Sequence, residues 1–246
     1  MTRLVRILAV LAVSAMPIAA QADPCAAPPE LTAASDTFPN AARALARGQR
    51  LEVLVLGSAS STVGGTSAPA RIYPVRLEAA LRELFPGVTV NVTIRGGRGL
   101  VAADMVPMLE DALGTLSPNI VVWQTGTVDA VRGVDPEGFL AALAAGVTRT
   151  EVRKADLVLM DMQFSRFGRA AMNYGPYRDA MKTIAATSAH TAFFPRYDLM
   201  RYWAEAGQID VERAARPDWP KVADLLHACL GRALAASIAD GIRLSR

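Results

Sequence analysis

The chain has 246 residues, 52% of them hydrophobic and 20% charged, with 6% aromatic. That is enough apolar material for one large core and too little charge for a disordered chain. The formal net charge is +3 and falls by two without the segment carrying Arg3 and Arg6, and no basic run carries interleaved aromatics, so nucleic acid is excluded as a partner. Two cysteines and two histidines exclude a multi-disulfide scaffold and a Cys/His metal cluster, and no cofactor is implied.

Arg3 and Arg6 precede the apolar run Ile7 to Val13, Pro17 breaks it, and Ala20-Gln21-Ala22 places small residues at −3 and −1 of a cut before Asp23. This predicts a secretory signal peptide over 1–22 and an exported chain, periplasmic or secreted, in a compartment where disulfides persist. The run falls short of the ~20 residues of a membrane span, and no later stretch is expected to reach that length.

Residues 23–50 read as an irregular lead-in with one short helix, and 51–246 as a single domain. Leu51 to Leu56 is a buried parallel strand ended by Gly57, followed by a small-residue loop to Pro69. Apolar residues at helical spacing run from Tyr73 to Leu84 and stop at Phe85-Pro86-Gly87. A second strand covers Val88 to Ile94, and Gly96-Gly97-Arg98-Gly99 turns into a helix over 100–115. Asn119 to Gln124 is a third strand, and Asp135-Pro136 opens a helix reaching Arg149. Asp156 to Met162 is a fourth strand, 174–188 a helix, and Thr191 to Phe194 a short fifth strand. Leu199 to Ala206 and Val222 to Asp240 close the chain as helices. Alternation of strand and helix predicts a doubly wound α/β domain with a five-stranded parallel sheet in the order 2-1-3-4-5. Ligands in such sheets bind beyond the carboxyl ends of the strands, which places any chemistry in the loops at 57–67, 96–99 and 125–129.

Those loops resemble, in order, the blocks of the SGNH (GDSL-type) hydrolases, a family of esterases and acylhydrolases. The resemblance rests on Gly57-Ser58-Ala59-Ser60-Ser61-Thr62, Tyr73-Pro74-Val75-Arg76-Leu77, Arg95-Gly96-Gly97-Arg98-Gly99, Val122-Trp123-Gln124-Thr125-Gly126-Thr127 and Val158-Leu159-Met160-Asp161. It implies a flavodoxin-like fold and hydrolysis of carboxylic esters by a serine nucleophile. The family nucleophile position falls on Ala59, which cannot attack a carbonyl, leaving Ser58 and Ser60 beside it as candidates. Gly99 matches the second-block glycine of the oxyanion hole, while Gly126-Thr127-Val128 places Val128 where the family has an asparagine donor. Losing one such donor costs on the order of 10²–10³ in rate.

The family's Asp-x-x-His is spelled by Asp224 and His227, inside an apolar helical pattern. Alignment on the last helix instead puts Asp218 and Lys221 on the motif. Two functions follow: an ester hydrolase working with displaced parts, with a small-molecule or glycan-linked acyl ester as substrate, or a non-catalytic protein that keeps the pocket for an acyl or glycan ligand of the envelope. His190, Arg95, Arg98, Trp123, Trp203, Met160, Met162 and Asp129 have simpler readings as loop, solvated, core or capping residues. Cys25 and Cys229, an even pair in an exported chain, predict a disulfide that pins the lead-in to the last helix.

Overall fold

Five parallel strands form one sheet in the order β2-β1-β3-β4-β5, the predicted order: β1 is Arg50–Gly57, β2 Thr89–Gly96, β3 Ile120–Gln124, β4 Asp156–Met160 and β5 Thr191–Phe194. The structure, a computed structural model, describes residues 23–245, without the side chains of 169 and 170. The expected signal peptide and its cut lie outside the described residues.

The strands follow from their composition. All residues of β3 and β4 are buried, and their apolar runs are covered on both faces. β1 lies inside the sheet, paired with β2 on one side and β3 on the other. β2, at the edge, is mostly half-buried.

Among the described residues ten α-helices connect and cover the strands: α1 (Pro39–Gly48), α2 (Ala59–Thr62), α3 (Tyr73–Leu84), α4 (Ala102–Leu116), α5 (Thr127–Arg132), α6 (Pro136–Val152), α7 (Arg166–Ala171), α8 (Gly175–Thr187), α9 (Arg196–Glu205) and α10 (Trp219–Leu244). α1, α3 and α10 pack together in one layer, and α4, α6 and α8 in another. Gly231 lets α10 lie directly on α3: a Cβ there would stand 2.6 Å from that of Arg76 and 2.8 Å from the Leu77 nitrogen.

α10 runs further than the expected Val222 to Asp240, because Asp240 and Gly241 do not stop it. This corrects the expectation that no later stretch reaches membrane length: the helical stretch Arg216–Leu244 is long and apolar enough to do so. Yet 67% of its most apolar window is buried within the protein, as in a core helix of a doubly wound fold.

The lead-in is more ordered than its Ala/Pro composition suggests. Asp156, at the start of β4, accepts the backbone N–H groups of Asn40 and Ala41 at 3.3 and 2.8 Å. A carboxylate there satisfies orphan donors at the positive end of α1. Phe38 is fully buried, and its N–H donates to the Gly241 carbonyl of α10. Cys25 and Cys229 form the expected disulfide, with Cα atoms 5.1 Å apart.

Candidate functional site

Gly57 ends β1 against Gly96 at the end of β2, where φ is +131° and a Cβ would lie 1.8 Å from the Gly57 carbonyl oxygen. Only glycine permits this contact. It brings the first and second loops together at the carboxyl edge.

The serine loop is organised by Gln124, the last residue of β3. Its Oε1 lies within reach of four donors: the N–H of Ser58 at 3.1 Å and the hydroxyls of Ser58, Ser60 and Ser61 at 3.3, 3.2 and 3.0 Å. A carbonyl oxygen offers two lone pairs, so these donors share one acceptor. Ser61, fully buried, also meets the Tyr73 hydroxyl at 2.7 Å. Burial pushes the Tyr73 phenol up to about 12, with Ser61 and Arg196 pulling the other way, so it stays protonated and serves as no base. Ala59 opens the short helix α2 at the family nucleophile position.

The sequence candidates for the base are held elsewhere. His227 lies within α10 and is buried. Its Nδ1 accepts the Tyr73 N–H at 2.8 Å, and it is hydrogen-bonded to the Gly64 backbone. Desolvation first, and then the Arg196 charge, hold its imidazole down at about 4. His227 is thus a neutral residue whose hydrogen bonds go to backbone groups. Asp224 accepts the N–H of Ser67 at 2.8 Å and its hydroxyl at 2.5 Å, and pairs with Arg71 at 3.5 Å. Burial raises its carboxyl, but the Ser67 bonds, Arg71 and Arg76 outweigh that and leave it below the usual range. The Asp-x-x-His match therefore fastens the 64–73 segment to α10. Asp218 and Lys221 are exposed and line a separate hollow with Arg71, Arg76 and Asp224.

Of the expected oxyanion residues, Gly99 has φ +74° and stands against Arg132, whose Nη2 lies 3.0 Å from where its Cβ would be. The Thr127 hydroxyl accepts the Gln163 N–H at 3.2 Å, and Val128 is half-buried. Asp129 ties the third loop to the second, accepting the N–H groups of Ala102 and Gly126 at 2.8 and 3.2 Å.

A cavity of about 290 Å³ opens beyond β4 and β5. Phe164, Met200, Ile209, Val211 and Leu226 give it an apolar wall, and Gln163, Arg196 and His227 a polar one. None of Ser58, Ser60, Ser61, Gly99, Thr127 and Val128 belongs to that wall. Arg196, the first residue of α9, is 1% exposed. Its Nη1 donates to the Ser60 hydroxyl at 3.1 Å and its Nη2 to Gln163 Oε1 at 3.3 Å, while its Nε has no partner. The start of α9 is fixed by Asp161, which accepts the Tyr197 N–H at 2.8 Å and pairs with Arg178 at 2.7 Å. Burial pushes Asp161 up to about 6 against the pull of Arg178.

Sequence reasoning passed over Gln124 and Arg196. Each carried a usable signal: a single polar residue ending an otherwise apolar strand, and a cation two residues after the last strand, both at the edge where ligands bind.

The parallel order β2-β1-β3-β4-β5 is the flavodoxin-like α/β fold that SGNH hydrolases also adopt. Residues 24–244 match the non-GDSL lipase-like family, and the chain belongs to it. Among solved structures it is similar to an acetyl-xylooligosaccharide esterase, Axe2, from a Geobacillus species (TM-score 0.59, 20% identity, 76% of this chain and 94% of that one). TesA gives a TM-score of 0.55 at 20% identity over 72% of this chain and 97% of that one. AlinE4, an SGNH-hydrolase family esterase, gives 0.50 at 21% identity over 68% and 82%. At these identities the likeness is one of fold. An adenine phosphoribosyltransferase of Clavibacter sepedonicus is 34% identical over 119 residues, 44% of this chain. The chain spans 62% of the length of that curated relative.

Proposed function

We propose that this is an exported protein of an esterase-type fold in which ester hydrolysis is weak or lost, and which serves as a binding protein for an acyl- or glycan-linked component of the envelope. One observation carries the reading: among the described residues, no serine of the 58–61 loop is hydrogen-bonded to a histidine, lysine or carboxylate. Those hydroxyls are engaged by Gln124, Tyr73 and Arg196, and His227 is committed to the backbone of 64 and 73. Ala59 and Val128 stand at the family's nucleophile and asparagine positions, and losses within such a unit are not additive. The Cys25–Cys229 disulfide suits an oxidising compartment.

A residual hydrolase is favoured by one contact, that of Ser60 with the buried Arg196. A guanidinium can hold an alkoxide, but it has no lone pair with which to take the hydroxyl proton. The test is a p-nitrophenyl butyrate assay on the purified chain beginning at Asp23, with Ser58→Ala and Ser60→Ala beside it. The expected result is no turnover that either substitution changes. Turnover on the order of 1–10³ s⁻¹ that Ser60→Ala abolishes would overturn the reading. Export is tested separately, by N-terminal sequencing of protein recovered outside the cytoplasm.

A further inference from the structure

We infer that a hollow at the amino edge of the sheet binds a small, polar phosphate monoester. It lies at the far end of the strands from the serine loop, and the inference does not depend on the functional reading above. Asn119, Ala155 and His190, which directly precede β3, β4 and β5, form one side of it, and α1 forms the other. Its volume is about 700 Å³, within the ~300–1,000 Å³ of ligand sites. Arg43, Arg47 and Lys154 line it, all exposed, and Glu151 is the one carboxylate in its wall. None of the three cations pairs with a carboxylate among the described residues, whereas Arg71, Arg82, Arg149 and Arg178 elsewhere all do.

Two local costs converge there. Arg43 and Arg47 stand four residues apart on α1, a spacing that stacks like charges on one face. Four non-glycine residues among those described hold a positive φ, namely Gln49, Ser117, Lys154 and His190, and the last two line the hollow, at +56° and +59°. Glycine adopts that conformation more readily, so Lys154 is kept against the preference of the backbone. A bound anion relieves the first cost and gives the second a use, as costs gathered at one place do at a binding site. The donors are also held ready. Asp156, fully buried, accepts the Asn40 Nδ2 at 2.7 Å, which turns the Asn40 Oδ1 to the Arg43 guanidinium. Asn119 spends its Oδ1 on the Glu52 N–H at 2.8 Å, and its own amide N–H bonds have no partner among the described residues. Two guanidiniums and an ammonium against one carboxylate suit a dianion, and phosphate oxygens match the arginine fork. The apolar lining is alanine alone, so the body of the ester is polar and carries no acyl chain into the hollow. A soluble phosphate ester and the terminal phosphate of a lipid headgroup share this chemistry.

The experiment is calorimetric titration of the purified chain beginning at Asp23 with glycerol 3-phosphate, lactate and glycerol, beside sedimentation with phosphatidylcholine vesicles that contain or lack phosphatidic acid. Glycerol 3-phosphate is expected to bind one site at least tenfold more tightly than lactate, which carries a single charge, and than glycerol, which carries none. Arg47→Gln is expected to weaken that binding at least fivefold, and Arg95→Gln, an exposed arginine at the opposite edge, to leave it unchanged. Lys154→Gly is expected to weaken it at least fivefold while the melting temperature does not fall, since glycine suits φ +56°. Sedimentation that needs phosphatidic acid and is reversed by glycerol 3-phosphate assigns the site to a lipid headgroup, and ester binding without sedimentation assigns it to a soluble ligand. Either result supports the inference. Absence of glycerol 3-phosphate binding, lactate bound as tightly, an equal loss in Arg95→Gln, or binding that survives both Arg47→Gln and Lys154→Gly would each overturn it. Sedimentation with the vesicles in a protein that does not bind the soluble ester would overturn it as well, as attraction to a charged surface without a site.

Discussion

The Nδ1 of His227 accepts the backbone N–H of Tyr73 at 2.8 Å, so the one histidine in an Asp-x-x-His arrangement is bound to the first residue of α3. A histidine held this way is neutral by construction, since protonation would destroy the acceptor. Its contribution to stability is therefore linked to pH.

His227 sits at about 4 in the folded chain, against 6.5 for a free imidazole. A histidine with a depressed folded value stabilises the fold fully above the unfolded value and loses that contribution as the pH falls through the folded one. The window is thus 6.5 down to about 4. Asp161, pushed up to about 6 by burial, runs the other way, its contribution falling as the pH rises toward that value. Comparison with His227→Gln cancels Asp161 and isolates the imidazole. At pH 7 the variant is expected to be less stable by about 1–2 kcal/mol through its poorer backbone bonds. Between pH 6.5 and 4 the wild type should lose about 3 kcal/mol relative to it, as an upper figure. Urea midpoints measured across that range check this, and a constant gap would refute it.

Restoring the family nucleophile is expected to restore nothing. Ala59→Ser places a hydroxyl at the start of α2, but His227 is committed to Gly64 and Tyr73, and Lys221 is exposed on another hollow. A serine without a base beside it is a weak nucleophile. Initial rates with p-nitrophenyl acetate should match the wild type within experimental scatter, and a rise of tenfold or more would show that a base has been overlooked.

The disulfide is expected to contribute strongly, because Cys25 and Cys229 are 204 residues apart in sequence. The chain-entropy account gives about 5 kcal/mol for so long a loop, as an upper figure. Urea unfolding of Cys25→Ala/Cys229→Ala should show a lower midpoint with an intact far-ultraviolet spectrum. An unchanged midpoint would mean that the lead-in is held by Phe38 and Asp156 alone.

Gly96→Ala is expected to destabilise the fold by about 3–4 kcal/mol, through a positive φ and a methyl group driven into the Gly57 carbonyl. Gly97→Ala next to it, with only the Leu100 side chain near at 3.9 Å, should cost far less. Thermal melts of the pair decide it.

The fold was legible because its strands are short apolar runs stopped by glycine or followed by polar loops, and its helices carry their apolar residues at the right spacing. Thr191 to Phe194 was bounded to the residue, and Leu51 to Leu56 missed only Arg50 and Gly57 at its ends. The lead-in was less legible. Its order comes from Asp156 and Gly241, more than a hundred residues away, and composition carries no trace of such partners. The site was legible in position and not in content. The serine loop could be placed after β1 from sequence, but the sharing of Gln124 among three serines depends on the register of β1 against β3, where Gly57 pairs with Gln124. The role of His227 likewise turned on which face of α10 meets α3. Cys229, about 200° further round the helix, faces the lead-in instead.

α10 carries a consequence for the order in which this molecule can be completed. It covers α3 and receives Phe38 and Cys25, partners that stand far before it in the chain. A ribosome finishes every strand before it finishes the helix that closes over β1 and α3. Until those last residues emerge, the side of α3 that meets α10 and the Cys25 thiol lack their partners, and that face of the sheet is covered by α1 and α3 alone. A chain cut short before Trp219 thus lacks both the cover of α3 and the partner of Cys25.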